Sequence, residues 1–137
     1  MVLMPKRTKF RKVHRNKFFG VAHRGDKLAF GDYGLQAIEC GAISNREIES
    51  ARVAINRGLG KKGKIWIRIF PDIPVTKKPL EVRMGKGKGN LDGWVCKILH
   101  GRVLFEVRGC NKSIAQDAFC KAAAKLNIKT KFLDKEI

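Results

Sequence analysis

Thirty lysines and arginines stand against twelve aspartates and glutamates in this 137-residue chain, a formal net charge of +18 at pH 7. A compact body with that excess repels itself. The chain must therefore keep its cations at the surface and offer them to a polyanion. Nucleic acid is the partner such charge points to first, with an anionic membrane surface as the alternative. Hydrophobic residues make up 44% of the chain, with eight Phe, two Trp and one Tyr among them. That is enough to bury a core, so the chain as a whole is not expected to be disordered. No apolar run approaches the ~18 residues of a membrane span. No apolar segment follows the basic N-terminus, so a signal peptide is not expected either.

The charge is unevenly placed. Residues 1–30 hold nine Lys/Arg and one acid, Asp26. The stretch Lys6-Arg7-Thr8-Lys9-Phe10-Arg11-Lys12-Val13-His14-Arg15 has almost no apolar periodicity. Residues 1–20 are thus expected to form a basic extension, irregular and disordered in the free protein, that orders on a phosphate backbone. Phe10, Phe18 and Phe19 are interleaved with its cations, which a tail serving only solubility would not need.

The remainder, 21–137, reads as a globular core. Residues 28–38 are strand material broken by glycine bends. Ser44-Asn45-Arg46-Glu47 spells a capping box, a hydroxyl followed three residues later by glutamate. The helix it opens is expected from about 45 to 57, with Ile48, Ala51 and Ile55 on one face and Gly58 and Gly60 ending it. Residues 64–70 alternate as a strand, Ile65, Ile67 and Ile69 on one side and Trp66, Arg68 and Phe70 on the other. Pro71, Pro74 and Pro79 divide the next stretch into turns and edge pieces. Segments 94–99 and 103–108 read as a hairpin around His100-Gly101. A second helix over about 113–126 buries Ala115, Ala118, Phe119, Ala122 and Leu126. A last strand over 128–133 presents Lys129 and Lys131. This order, without regular βαβ alternation, argues a single α+β domain, a mixed sheet with two helices.

Four cysteines, at 40, 96, 110 and 120, form no CxxC pair, and His14, His23 and His100 are scattered. Zinc needs four convergent ligands, commonly in close pairs. No metal site is expected, and the thiols read as small residues of a reducing compartment. The run from Gly58 to Ile65 nearly spells a P-loop, but Ile65 lacks the hydroxyl that would meet Mg²⁺. The run also comes after a helix and before a strand, the reverse of the order a phosphate loop requires. Lys61 and Lys62 are better read as a basic turn touching phosphate. Serines 44, 50 and 113 have no nucleophile-elbow context, and the acids form no pair. No catalytic residue, cofactor or small-molecule substrate is expected.

The sharper signal is Arg83-Met84-Gly85-Lys86-Gly87-Lys88-Gly89. Glycines alternating with lysines make a slim cationic loop able to enter a phosphate-walled crevice. A small apolar core would hold this loop and the tail at a fixed separation. Charge alone does not distinguish an rRNA-binding protein from a free-standing nucleic-acid chaperone or DNA-compacting protein.

Longer blocks do distinguish them. The tail from Pro5 to Lys12, Ile65-Trp66-Ile67-Arg68-Ile69-Phe70-Pro71-Asp72, Lys78-Pro79-Leu80-Glu81-Val82-Arg83 with the glycine–lysine loop, and Ala122-Ala123-Ala124-Lys125-Leu126 resemble the bacterial-type family of large-ribosomal-subunit protein sixteen. The resemblance covers about residues 4 to 133. It implies a hammerhead-like α+β fold and a structural role in the large subunit, bound to its rRNA beside neighbouring ribosomal proteins. It implies that Lys6, Arg7, Lys9, Arg11, Lys12 and Arg15 pack into rRNA. It also implies that the loop 84–89 reaches A-site tRNA, or P-site tRNA, near the peptidyl-transferase centre. Arg83 matches an arginine that a separate oxygenase hydroxylates in some bacteria. His100, Cys96, Cys110 and Asn111-Lys112-Ser113 depart from the usual pattern but leave these blocks intact. Nothing like a transit peptide precedes the match. A ribosome in bacterial cytoplasm, or in an organelle with its own bacterial-type ribosomes, is the expected location.

Overall fold

Ser44 starts the first helix as its distance from Glu47 requires. Its side chain accepts from the Glu47 N–H at 3.3 Å, and the Glu47 carboxylate accepts from the Ser44 N–H at 2.7 Å. In the computed structural model, which describes residues 3–135, this helix α1 spans Asn45–Leu59. The strands before it are β1 (Tyr33–Ala37) and β2 (Gly41–Ser44), and β3 (Lys64–Ile67), β4 (Ile73–Lys77), β5 (Asn90–Ile98) and β6 (Val103–Arg108) come after it. Helix α2 (Lys112–Ala123) and β7 (Thr130–Asp134) complete the order.

The expected stripe Ile48, Ala51 and Ile55 is buried, with Leu59 extending it. Gly58, however, does not end the helix. A Cβ there would lie 2.8 Å from the Ala118 Cβ; Gly58 is where α1 and α2 approach closely, and Gly60, at φ 67°, ends α1. On α2, Ala115, Ala118, Phe119 and Ala122 are buried as expected, while Leu126 lies beyond the helix and is half-buried against the core. The strand over 64–70 is shorter than expected: after Ile67 the chain leaves extended pairing, Ile69 turns inward and Phe70 outward.

The α+β domain with two helices is as expected, but the single mixed sheet is not. The strands form two sheets, β3-β6-β1-β7 and β2-β5-β4, and every ladder within them is antiparallel. The hairpin expectation is corrected with it. β5 lies between β2 and β4, β6 between β3 and β1, and the two do not pair with each other. The reason lies in the turn: the His100 carbonyl accepts from the Ala22 N–H, the His100 N–H reaches the Gly20 carbonyl and the Gly101 N–H the Ala37 carbonyl. The Arg102 N–H still closes the turn onto the Leu99 carbonyl at 3.1 Å, but past it the Arg102 carbonyl accepts from the Ala37 N–H and the Val103 N–H donates to the Gly25 carbonyl, so the two strands part.

Register sorts the larger sheet into two faces. Tyr33, Leu35, Ile65, Phe105, Val107 and Phe132 share the inner face, packed in the core beneath the helices. Trp66 stands opposite Glu106 on the outer face. No helix covers that face; the segment before β1 does. Glu106 is the only buried charged side chain among the described residues. It accepts from the N–H groups of Gly31 at 2.7 Å, Phe30 at 2.6 Å and Ala29 at 3.1 Å, and pairs with Arg68. Burial pushes its carboxyl pKa up, but these backbone bonds and Arg68 outweigh it and hold the pKa below the usual glutamate value.

Residues 3–20 contain neither helix nor strand, although Leu3 packs against the core. Met1 and Val2, included in the expected extension, and Glu136 and Ile137, included in the expected core, lie outside the described residues. No described helix is long and apolar enough to cross a membrane.

Replacing Glu106 by Gln leaves one carbonyl oxygen for the backbone N–H groups but removes the counterion of Arg68 and turns an amide NH₂ toward its guanidinium. We expect a loss of roughly 3 kcal/mol in chemical denaturation. Because the folded pKa is lowered, the stabilisation is complete above the ~4.3 of an unfolded glutamate and is lost as pH falls through the folded value. Wild type should therefore lose stability on acidification more steeply than the variant; parallel curves would remove Glu106 from this role.

Candidate nucleic-acid interface

The loop expected to be slim is shaped by three successive residues with positive φ: Gly85 at 101°, Lys86 at 58° and Gly87 at 94°. At Gly85 and Gly87 a Cβ would meet open space; glycine is needed there for backbone conformation. Gly89 differs, since a Cβ would lie 2.7 Å from the Lys77 carbonyl carbon, where the loop closes onto β4. The Lys78 ammonium donates to the Gly85 carbonyl and braces the loop from within. Leu80 is fully exposed and Met84 is 95% exposed. Arg83, Lys86 and Lys88 are exposed as well.

Six sequence-indicated tail cations, Lys6, Arg7, Lys9, Arg11, Lys12 and Arg15, are all exposed. The core does not hold them apart from the loop. The Lys88 ammonium donates to the Val13 carbonyl at 2.6 Å, and the Lys12 ammonium approaches the Lys88 carbonyl at 3.4 Å. Tail and loop meet in one basic surface at the end of the three-stranded sheet. Beside the contact, Lys9, Phe10, Arg11, Lys12, Asn90 and Leu91 line a groove of about 750 Å³. Phe10 is 66% exposed, with the Lys9 ammonium 5.7 Å from its ring centroid.

Lys61 and Lys62 are also exposed, but in the α1–β3 turn against Gly109, at the end of the four-stranded sheet. They belong to a different part of the surface. The near P-loop has the helix-then-strand context read from the sequence, so it does not lead into a helix of its own.

Sequence reasoning missed three cations. Lys97, on β5, lies over the Phe18 ring at 5.7 Å, which Arg15 also approaches at 5.9 Å. Arg102 donates to the carbonyls of Arg24 and Arg68, each at 3.0 Å. Arg68 pairs with Glu106. Their neighbours arrive from distant segments, so no spacing signals them. Chemically the surface offers fixed cations and exposed aromatic rings, which neutralise phosphates and stack bases.

The described residues from 5 to 133 match a family model described as ribosomal protein L16p/L10e. The chain is similar to the large ribosomal subunit protein uL16 of Francisella tularensis subsp. novicida, with 54% identity over 136 residues and 99% of each chain covered. That of Thioalkalivibrio sulfidiphilus is 55% identical over 136 residues, and that of Halorhodospira halophila 54%, each with 99% coverage of both chains.

Two kinds of loop variant should separate in thermal unfolding. Lys86→Ala with Lys88→Ala removes exposed charges and should change stability by no more than about 0.5 kcal/mol. Gly89→Val drives a branched side chain into the Lys77 backbone and should lower the melting temperature clearly. Equal melting temperatures would mean that the loop is not seated on β4.

Proposed function

The chain belongs to the ribosomal protein L16p/L10e family and is a structural ribosomal protein rather than an enzyme, and on that footing we propose that tail and loop form one RNA-binding surface in the bacterial large subunit. Lys6, Arg7, Lys9, Arg11, Lys12 and Arg15 neutralise rRNA phosphates, and Lys61 and Lys62 do so at a separate point. The loop from Arg83 to Gly89 extends toward A-site tRNA near the peptidyl-transferase centre, with P-site tRNA the nearest alternative. Neighbouring large-subunit proteins complete the surroundings, and exposed Arg83 is open to hydroxylation.

The observation that carries this reading is the tail–loop contact through Lys12, Val13 and Lys88. Two strongly cationic segments, more than seventy residues apart in sequence, are brought together without an intervening acid in the contact. Their mutual repulsion is unfavourable in isolation and becomes favourable when a polyanion lies across both. Such contacts position RNA and carry no chemistry of their own. The protein's work is to shape RNA around it and to hold the loop in place.

The test is binding to a large-subunit rRNA transcript over a range of salt. Arg7→Gln, Lys9→Gln and Arg11→Gln together leave Leu3 in place against the core. Each lost phosphate contact should flatten the log–log salt slope by roughly 0.7–0.9. An unchanged slope would take the tail out of the interface. In reconstituted subunits, Gly85→Val with Gly87→Val should weaken A-site tRNA binding; wild-type affinity would reduce the loop to a spacer.

A further inference from the structure

On the outer face of the four-stranded sheet, far in sequence from the glycine–lysine loop, Phe30 and Trp66 stack with ring centroids 6.0 Å apart and planes 19° from parallel. The Lys64 ammonium lies 5.1 Å from the Trp66 centroid and the Arg68 guanidinium 5.4 Å from that of Phe30. Phe30 is nevertheless 53% exposed. A large aromatic ring left half in water beside a stacked indole is costly unless something covers it.

The pair is also rigidly held. Glu106 lies beneath it, bonded to the backbone N–H groups of Ala29, Phe30 and Gly31 and paired with Arg68. Arg68 donates in addition to the Lys27 carbonyl at 3.2 Å. Glu106 thus fixes both Phe30 and the cation over it, while being fully buried itself. Asp32 lies 3.7 Å from Arg108. Phe30 and Lys64 are the exposed members of the Phe30–Trp66 cluster.

We infer that the Phe30–Trp66 shelf, flanked by Lys64 and Arg68, is a second RNA site that stacks one unpaired base of a structured RNA. The inference rests on the RNA-binding reading above and names a ligand for a surface that reading does not use. Aromatic faces accept any base, and exposed Lys64 beside Trp66 is placed to meet an adjoining phosphate, while Arg68 is engaged in holding Phe30. A protein neighbour fits less well, because the face offers a stacked ring with an exposed lysine beside it and carries a net positive charge, Arg68 and Arg108 being balanced by Glu106 and Asp32.

The experiment uses the full-length wild-type protein and a twelve-nucleotide single-stranded oligoribonucleotide carrying 5-iodouridine, which crosslinks to aromatic rings it stacks on. We expect adducts at Phe30 or Trp66 after irradiation and peptide mapping. Phe30→Leu keeps an apolar side chain and all three backbone bonds to Glu106, so it tests the ring alone. It should weaken binding by roughly tenfold without changing the salt slope, because no phosphate contact is lost. An excess of large-subunit rRNA transcript that removes the adducts assigns the base to rRNA, and tRNA that removes them assigns it to tRNA; failure of both overturns the site. Binding with adducts confined to the tail, and unchanged affinity in Phe30→Leu, overturns the shelf, leaves the tail–loop reading standing and gives the face to a protein neighbour. Absence of any RNA binding by the wild type overturns both.

Discussion

A glutamate with no exposed surface organises the outer face of this protein. Glu106 collects three consecutive backbone N–H groups and the Arg68 guanidinium, so the segment before β1 is clamped across the sheet. A second chain of bonds extends the clamp: Arg102 reaches the carbonyls of Arg68 and Arg24, and the Val103 N–H that of Gly25. The face that would otherwise need a third helix is closed by an irregular strap with its polar groups satisfied. In a chain of +18 a buried carboxylate is also the natural counterion, and its bonds to N–H groups and Arg68 more than offset its desolvation.

The same strap connects core to periphery. Val21 bridges to His100 and the Ala22 N–H reaches the His100 carbonyl, so the crossing between the two sheets is stitched to the end of the basic extension. Beyond it, Phe18 sits under Lys97 and Arg15, and Lys12 and Val13 meet Lys88. Tail, sheet crossing and glycine–lysine loop are therefore mechanically continuous. Cations that repel one another are brought close by a few directional bonds to carbonyl oxygens, an arrangement suited to a surface that a polyanion covers.

The local elements were legible wherever chemistry a few residues apart decides. The Ser44–Glu47 box and the Ile48, Ala51 and Ile55 stripe placed α1, and the alanine stripe with Phe119 placed α2. Gly58 misled because glycine serves two purposes, stopping a helix and admitting a neighbour, and only the position of Ala118 selects between them. The tail and loop cations were legible by density and motif, whereas Lys97, Arg68 and Arg102 were not, since each acts on a residue from another segment.

Strand pairing was the largest departure. Segments 94–99 and 103–108 with a glycine turn carry every local mark of a hairpin, yet each is an interior strand of a different sheet. The turn itself closes between Leu99 and Arg102, but just past it the Arg102 carbonyl and the Val103 N–H bond to Ala37 and Gly25, which carries the second strand into the other sheet. By itself the sequence determined the helices, the apolar alternation, the charge and the family, because these depend on side-chain order along one segment. The tertiary structure alone decided the division into two sheets, the burial of Glu106 beneath Phe30 and Trp66, and the meeting of tail and loop. Each of these joins groups distant in the chain, and no local pattern records such distances.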